Sequence, residues 1–199
     1  MVLSRIVLNL DAPSARRDLA SRYEMHRTMS RLAPGGGNRI LWRLETRGGT
    51  QPVVLVQTSD TPDPTSIAVT APDYYVSFES RYNRLLENLR TGDRLRFKVF
   101  ANASVKREGK RHGLYRQDDQ LAWIEHQLLK HGAEPVAVRI GETSTERCWR
   151  GRDSRPISVY GVMFEGLLDV VDPNRVRDLV RNGLGHAKAL GFGLVTLGR

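Results

Sequence analysis

The chain has 199 residues, 40% of them hydrophobic, one cysteine and a formal net charge of +9. That length suits one large domain or two small ones, with enough apolar side chain for a core. A lone Cys148 excludes an internal disulfide and any zinc site built on several thiolates, and the excess of Lys and Arg points to a polyanionic partner.

The opening Met1-Val2-Leu3-Ser4-Arg5-Ile6-Val7-Leu8 carries no signal-peptide pattern, and no run approaches a membrane span. A soluble cytoplasmic protein with no membrane contact is expected. The histidines His26, His112, His126, His131 and His186 show no metal-ligand spacing, so no metal site and no cofactor are expected.

In chain order, residues 3–10 read as a strand. Asp11-Ala12-Pro13 starts a helix that runs toward Leu32, with proline where its missing N–H costs little. Pro34-Gly35-Gly36-Gly37-Asn38 breaks it. Residues 39–46 and 52–58 read as paired strands around Arg47-Gly48-Gly49, and residues 61–73 as a loop with three prolines. Residues 79–89 are a helix candidate, and a strong strand covers 94–105. This half reads β-α-β-β-α-β.

Residues 118–131 form an amphipathic helix with Leu121, Ile124, Leu128 and Leu129 on one side. Strands follow at 135–140 and 158–171, then a helix from Pro173, a glycine-rich loop and a last strand at 194–197. The simplest architecture is α+β, with two tandem ferredoxin-like (RRM-like) βαββαβ domains. The first spans residues 1–110 and the second 111–199, with the basic stretch 106–117 as the link.

The late run Gly183-Leu184-Gly185-His186-Ala187-Lys188-Ala189-Leu190-Gly191-Phe192-Gly193-Leu194 is the most informative segment. Successive N–H groups in a glycine loop make an anion-binding concavity, and Lys188 adds a mobile charge. It is not a P-loop, which needs Gly-Lys-Ser/Thr opening a helix, nor a dinucleotide fingerprint, because Lys188 stands where the third glycine belongs. The order is helix, loop, strand. A plain glycine C-cap accounts for one of the four glycines.

On the first helix Tyr23 and His26 are three residues apart and share a face, with Arg16 and Arg27 flanking Tyr23 and Arg31 further round. Met25, Met29 and Leu32 form the better core stripe. A Tyr–His pair beside arginines suits cleavage of a phosphodiester without metal. Histidine moves protons near neutrality, and arginines stabilise the charge of a pentacovalent transition state. From spacing alone, a helix histidine at the surface or packed against the tyrosine is the better reading.

Two further basic segments stand out. Arg147-Cys148-Trp149-Arg150-Gly151-Arg152-Asp153-Ser154-Arg155 lies between two strands and reads as an arginine-rich hairpin able to follow a nucleic-acid backbone. Lys106-Arg107-Glu108-Gly109-Lys110-Arg111-His112 reads as a phosphate-contacting strap or as a charged linker.

With these pieces the chain resembles the CasE family, the CRISPR RNA-processing endoribonucleases of type I-E Cascade. The resemblance rests on Met1-Val2-Leu3-Ser4-Arg5-Ile6, on Arg94-Leu95-Arg96-Phe97 through Lys106, on Phe164-Glu165-Gly166-Leu167-Leu168 and, most specifically, on the glycine-rich loop. It spans nearly the whole chain. The resemblance implies two ferredoxin-like domains, binding of the repeat hairpin of precursor CRISPR RNA, and metal-independent cleavage at the base of its stem by the 2′-hydroxyl. It also implies retention of the mature crRNA and assembly with other Cascade subunits.

Residue by residue, the resemblance gives His26 and Tyr23 the catalytic roles and sets Lys188 toward the RNA, with His186 a second acid–base candidate. The candidate RNA-binding set is Arg27, Arg31, Lys106, Arg107, Lys110, Arg147, Arg150, Arg152, Arg155, Gly185, His186, Lys188 and Gly191. Two other readings stand beside this one. A non-catalytic RNA-binding subunit of the same fold gives His26 no chemistry. A small-molecule enzyme holding a phosphorylated ligand in the glycine loop predicts no RNA affinity and little salt dependence.

Overall fold

Strand β1 (Val2–Leu8) turns Ser4, Ile6 and Leu8 to one face, where they are buried, and leaves Arg5 exposed on the other. That is the period of a half-buried strand. The computed structural model describes residues 1–33, 39–45, 51–148 and 157–199. β1 is followed by helices α1 (Pro13–Ala20) and α2 (Arg22–Ser30), strands β2 (Leu41–Glu45) and β3 (Val53–Thr58), a one-turn helix α3 (Thr65–Ala68) and strand β4 (Tyr75–Tyr82). The sheet order is β2-β3-β1-β4, with β1 antiparallel to both neighbours.

The expected helix over residues 11–32 is two helices. Ser21 takes extended dihedrals (φ −139°, ψ 106°), and its hydroxyl accepts the Glu24 N–H at 3.4 Å. Ser21-Arg22-Tyr23-Glu24 has the Ser-x-x-Glu spacing of a capping box, a local start signal inside an otherwise continuous helical pattern. The buried side of α2 is Met25, Thr28 and Met29, and the two methionines pack with Ile6, Leu8, Trp42, Val54, Val56 and Ile67 in the first core. The methionine stripe is therefore the inward one, as expected.

The helix expected at residues 79–89 is part strand and part a single helical turn. β4 occupies Tyr75–Tyr82, and only Arg84–Glu87 is helical (α4). β1 offers a free edge to this segment, and its aromatic and β-branched residues Tyr75, Val76, Phe78 and Tyr82 suit a strand better than a helix. Tertiary pairing overrides the helical spacing.

The chain then begins a second βαββαβ set. β5 (Arg94–Ala101) is followed by a hairpin of β6 (Ser104–Arg107) and β7 (Lys110–Gly113), helix α5 (Gln117–Lys130), β8 (Ala133–Cys148), β9 (Ile157–Val170), helix α6 (Pro173–Asn182), a single 3-10 turn (Lys188–Leu190) and β10 (Val195–Gly198). The sheet order is β10-β5-β9-β8. In each sheet the first strand pairs with the third and fourth, so the two ferredoxin-like sets expected from sequence are both present.

Strand 94–101 was expected to close the first domain; it opens the second sheet instead. One unit holds Met1–Asn83 together with Lys188–Gly191, and the other holds Arg84–Glu146, Ser158–Ala187 and Phe192–Arg199. The stretch read as a link, 106–117, is the β6–β7 hairpin and its exit. Glu108 (φ 49°) and Gly109 (φ 78°) make its two-residue turn, both left-handed as a tight hairpin needs. On α5 the buried side is Gln120, Trp123, Ile124 and Leu128, while Leu129 is 57% exposed, so the apolar face is rotated from the expected one. Trp123 packs tilted against Phe164 of β9, ring centroids 5.8 Å apart, and takes up that side.

A buried polar network ties α1 to the start of β4. Asp18 is buried; it accepts the Tyr74 hydroxyl at 2.9 Å and the Arg17 guanidinium at 2.8 and 3.0 Å. Burial, then the Asp18 carboxylate, holds the Tyr74 phenol far above the usual range. Tyr74→Phe removes a hydrogen bond to a buried charge, worth about 1.5–3 kcal/mol. A thermal melt is expected to fall by several degrees; an unchanged midpoint would show that Arg17 alone satisfies Asp18.

Candidate active site

The site is assembled from one helix, one strand and one turn of the first unit. α2 carries Tyr23 (37% exposed) and, one turn on, the half-buried His26. On β2, Trp42 is fully buried. The Trp42 indole N–H donates to His26 Nδ1 at 3.2 Å. The Ser30 hydroxyl donates to the His26 backbone carbonyl at 2.7 Å, which secures the last turn of α2.

The glycine-rich loop adds the third side. After the 3-10 turn Lys188–Leu190, the Gly191 N–H donates to the Lys188 carbonyl at 3.2 Å. Gly191 sits at φ +81°, and a Cβ there would lie 2.6 Å from Trp42 Cζ3. Only a hydrogen fits between this backbone and the indole. The Arg22 guanidinium lies 5.6 Å from the Trp42 ring centroid, within reach of a cation–π contact. One tryptophan therefore touches the histidine, the loop and an arginine.

The electrostatics follow from burial. Burial holds the His26 imidazole below its ordinary value of about 6.5. An indole N–H donated to Nδ1 acts in the same direction, because it bonds to the neutral ring. Burial, then the nearby Arg39 charge, lowers Lys188. Arg39 and Lys188 together make this end of the site electropositive.

Other expected residues fall in different places. Arg27 forms an ion pair with Glu24 at 3.0 Å. Arg31 caps α2 and donates to the Thr70 hydroxyl at 2.5 Å. Gly185 and His186 belong to the second unit, where Gly185 lies against the Trp123 ring and His186 is exposed. Arg147 is exposed at the end of β8, whereas Arg150, Arg152 and Arg155 lie outside the described residues.

Lys106, Arg107 and Lys110 are exposed on the β6–β7 hairpin. Its register sets Lys106 opposite Arg111 and Arg107 opposite Lys110. Like charges directly opposite destabilise a hairpin, so these residues do not serve its own stability. An anion between them would remove the repulsion.

Trp42, Arg39 and Arg22 are the residues that sequence reasoning missed. Among the described residues no group of three or more His, Cys, Asp or Glu side chains is placed to hold a metal ion, and no helix is long and apolar enough to cross a membrane.

A family model described as CRISPR associated protein matches residues 1–199. The chain belongs to that family. It is 38% identical to the CRISPR-associated endoribonuclease Cse3 of Thermus thermophilus, over 99% of each chain. It is 27% identical to the CRISPR system Cascade subunit CasE of Escherichia coli, over 99% of this chain and 98% of the relative. Among solved structures, Cse3 bound to 19 nt RNA matches with a TM-score of 0.92 at 36% identity, covering all of both chains. Thermus thermophilus Cse3 bound to an RNA representing a pre-cleavage complex matches with a TM-score of 0.88 at 36% identity, over all of this chain and 98% of the other. The resemblance to the CasE family and the tandem ferredoxin-like fold both hold for this member of the family.

A depressed histidine has a stability signature. Above pH 6.5 both folded and unfolded states hold His26 neutral. Below it the unfolded state binds the proton first, so stability falls as pH drops from about 6.5 toward the lower folded value. An NMR titration should place the His26 midpoint below 6.5, and His26→Gln should remove its share of this acid sensitivity. A midpoint at or above 6.5 would contradict the buried, indole-bonded ring.

Proposed function

We propose that this chain is the endoribonuclease that processes precursor CRISPR RNA, cutting at the base of the repeat stem and keeping the mature crRNA as a subunit of Cascade. The observation that carries the proposal is the contact of both His26 and Gly191 with Trp42, with Lys188 hydrogen-bonded to Gly191 in the same turn. It occurs in a chain related over its full length to an endoribonuclease and to a Cascade subunit. Such a protein works in the cytoplasm with its RNA and needs no membrane.

The chemistry suits RNA because the nucleophile comes with the substrate. The 2′-oxygen bonds to phosphorus as the bond from phosphorus to the 5′-oxygen breaks. The 2′-hydroxyl proton passes to a base, and the 5′-oxygen takes a proton and leaves as a hydroxyl. A 2′,3′-cyclic phosphate remains on the other fragment. No step requires a metal. The protein has to align the 2′-oxygen with the leaving oxygen, stabilise charge on the phosphate and manage two protons.

In this reading His26 acts at the scissile phosphate and Tyr23, one turn away, holds the phosphate or assists. Lys188 and the neighbouring Arg39 neutralise the phosphate. The β6–β7 hairpin and the arginines from Arg147 onward grip the stem, with counterion release making the grip salt-dependent. Arg27 exchanges Glu24, and Arg31 the Thr70 hydroxyl, for RNA on binding.

The alternative of a non-catalytic RNA-binding subunit differs at one residue. His26→Ala is expected to slow single-turnover cleavage of a matched repeat hairpin by about 10²–10⁴-fold while changing its affinity little. Cleavage at the wild-type rate would overturn the assignment of His26, and a parallel loss of affinity would make His26 a binding residue. Affinity that does not fall between 50 and 200 mM salt, a range chosen for the test, would favour the small-molecule reading instead.

A further inference from the structure

We infer that Trp42 is the positioning residue of the site: its indole N–H fixes which nitrogen of His26 meets the RNA, and its ring face sets the seat of the glycine loop. The inference rests on the reading of His26 as a catalytic residue, and it adds a residue and a protonation state to that reading.

The geometry leaves one arrangement of the neutral imidazole. An indole nitrogen donates only. With the Trp42 N–H donated to Nδ1 at 3.2 Å, Nδ1 is the bare nitrogen and the proton lies on Nε2. The other tautomer would point two N–H groups at each other inside a buried contact, leaving the indole of a fully buried tryptophan without its acceptor. Protonation of Nδ1 meets the same opposition. Nε2 therefore carries a hydrogen to the substrate. The neutral ring donates a hydrogen bond to a phosphate oxygen or to the leaving oxygen, keeps its own proton, and does not take the 2′-hydroxyl proton.

The same ring holds the loop. Gly191 approaches so closely that even a methyl group would sit 2.6 Å from Cζ3. Lys188, three residues earlier, is tied to Gly191 by the N–H to carbonyl bond of the 3-10 turn. Trp42 thus sets the height of Lys188 relative to His26 through a contact on each side. Neither contact lies in a segment that strand propensity alone would single out, because an inward tryptophan on an edge strand is ordinary core.

The variant that isolates the N–H is Trp42→Phe, which keeps an aromatic face under Gly191 and removes the donor. The direct readout is the pair of ¹⁵N shifts of the His26 ring, taken at a pH where the ring is neutral. In the wild type they should report a protonated Nε2 and a bare Nδ1. In Trp42→Phe they should move toward a mixture of tautomers, with single-turnover cleavage of the repeat hairpin slowed tenfold or more and hairpin affinity unchanged.

A protonated Nδ1 in the wild type overturns the proposal without any variant, so it stays testable if Trp42→Phe does not fold. So does a folded Trp42→Phe that keeps the Nε2–H tautomer, or one that loses it and cleaves at the wild-type rate. If the wild-type ring is Nε2-protonated and shifts in Trp42→Phe, but His26→Ala cleaves normally, the pairing stands and the catalytic reading of His26 fails.

Discussion

One hydrogen bond organises the candidate site. The Trp42 N–H reaches His26 Nδ1 from the inward side of a strand, and Gly191 rests on the same indole. Remove the bond and His26 is a half-buried side chain free to choose its tautomer. Remove the glycine and the loop carrying Lys188 is pushed off the ring. The indole can play both parts because it is fully buried and held within the core that packs α2 against the sheet. Its position is set by β2, a strand whose Leu41, Trp42 and Arg43 are all buried. The precision of the site is inherited from a regular sheet, while its loop adds only backbone and one lysine.

The charge of the chain is distributed with the same logic. Several arginines are committed to acids, Arg94 with Asp169 and Arg139 with Glu165 across neighbouring strands and Arg27 with Glu24 within α2. Exposed pairs of this kind contribute little to stability and leave little net field. The β6–β7 hairpin is different, because its basic residues face other basic residues across the strands. An arrangement that costs the free protein stability and is relieved by a polyanion favours a binding role over a structural one. Lys188 repeats that pattern on a smaller scale, its charge disfavoured by burial and by the neighbouring Arg39 until an anion arrives.

Much of this was legible in the sequence, for identifiable reasons. The tandem ferredoxin-like fold could be read because six of the long elements announce themselves through alternation or through proline and glycine punctuation. His26, Tyr23, Lys188 and Gly191 could be picked out because their chemistry is local and their spacing is short. The errors came where a partner distant in sequence decides the outcome. Residues 75–82 are strand because β1 needs a neighbour, and 94–101 opens the second sheet because its partners lie beyond residue 160. Ser21 splits the first helix through a cap that four residues do encode. Trp42 was out of reach, since nothing in Leu41-Trp42-Arg43-Leu44-Glu45 tells which helix residue will meet the indole.

The central claim is that this fold cuts RNA with the substrate's own 2′-hydroxyl and without a metal. The most direct measurement is cleavage of a labelled repeat hairpin in EDTA, beside the same hairpin carrying a 2′-deoxy substitution at the cut site. The account predicts cleavage of the native RNA, with a cyclic phosphate and a 5′-hydroxyl as the new ends, and no cleavage of the substituted one. Cleavage of both, or of neither until a divalent cation is restored, would contradict it.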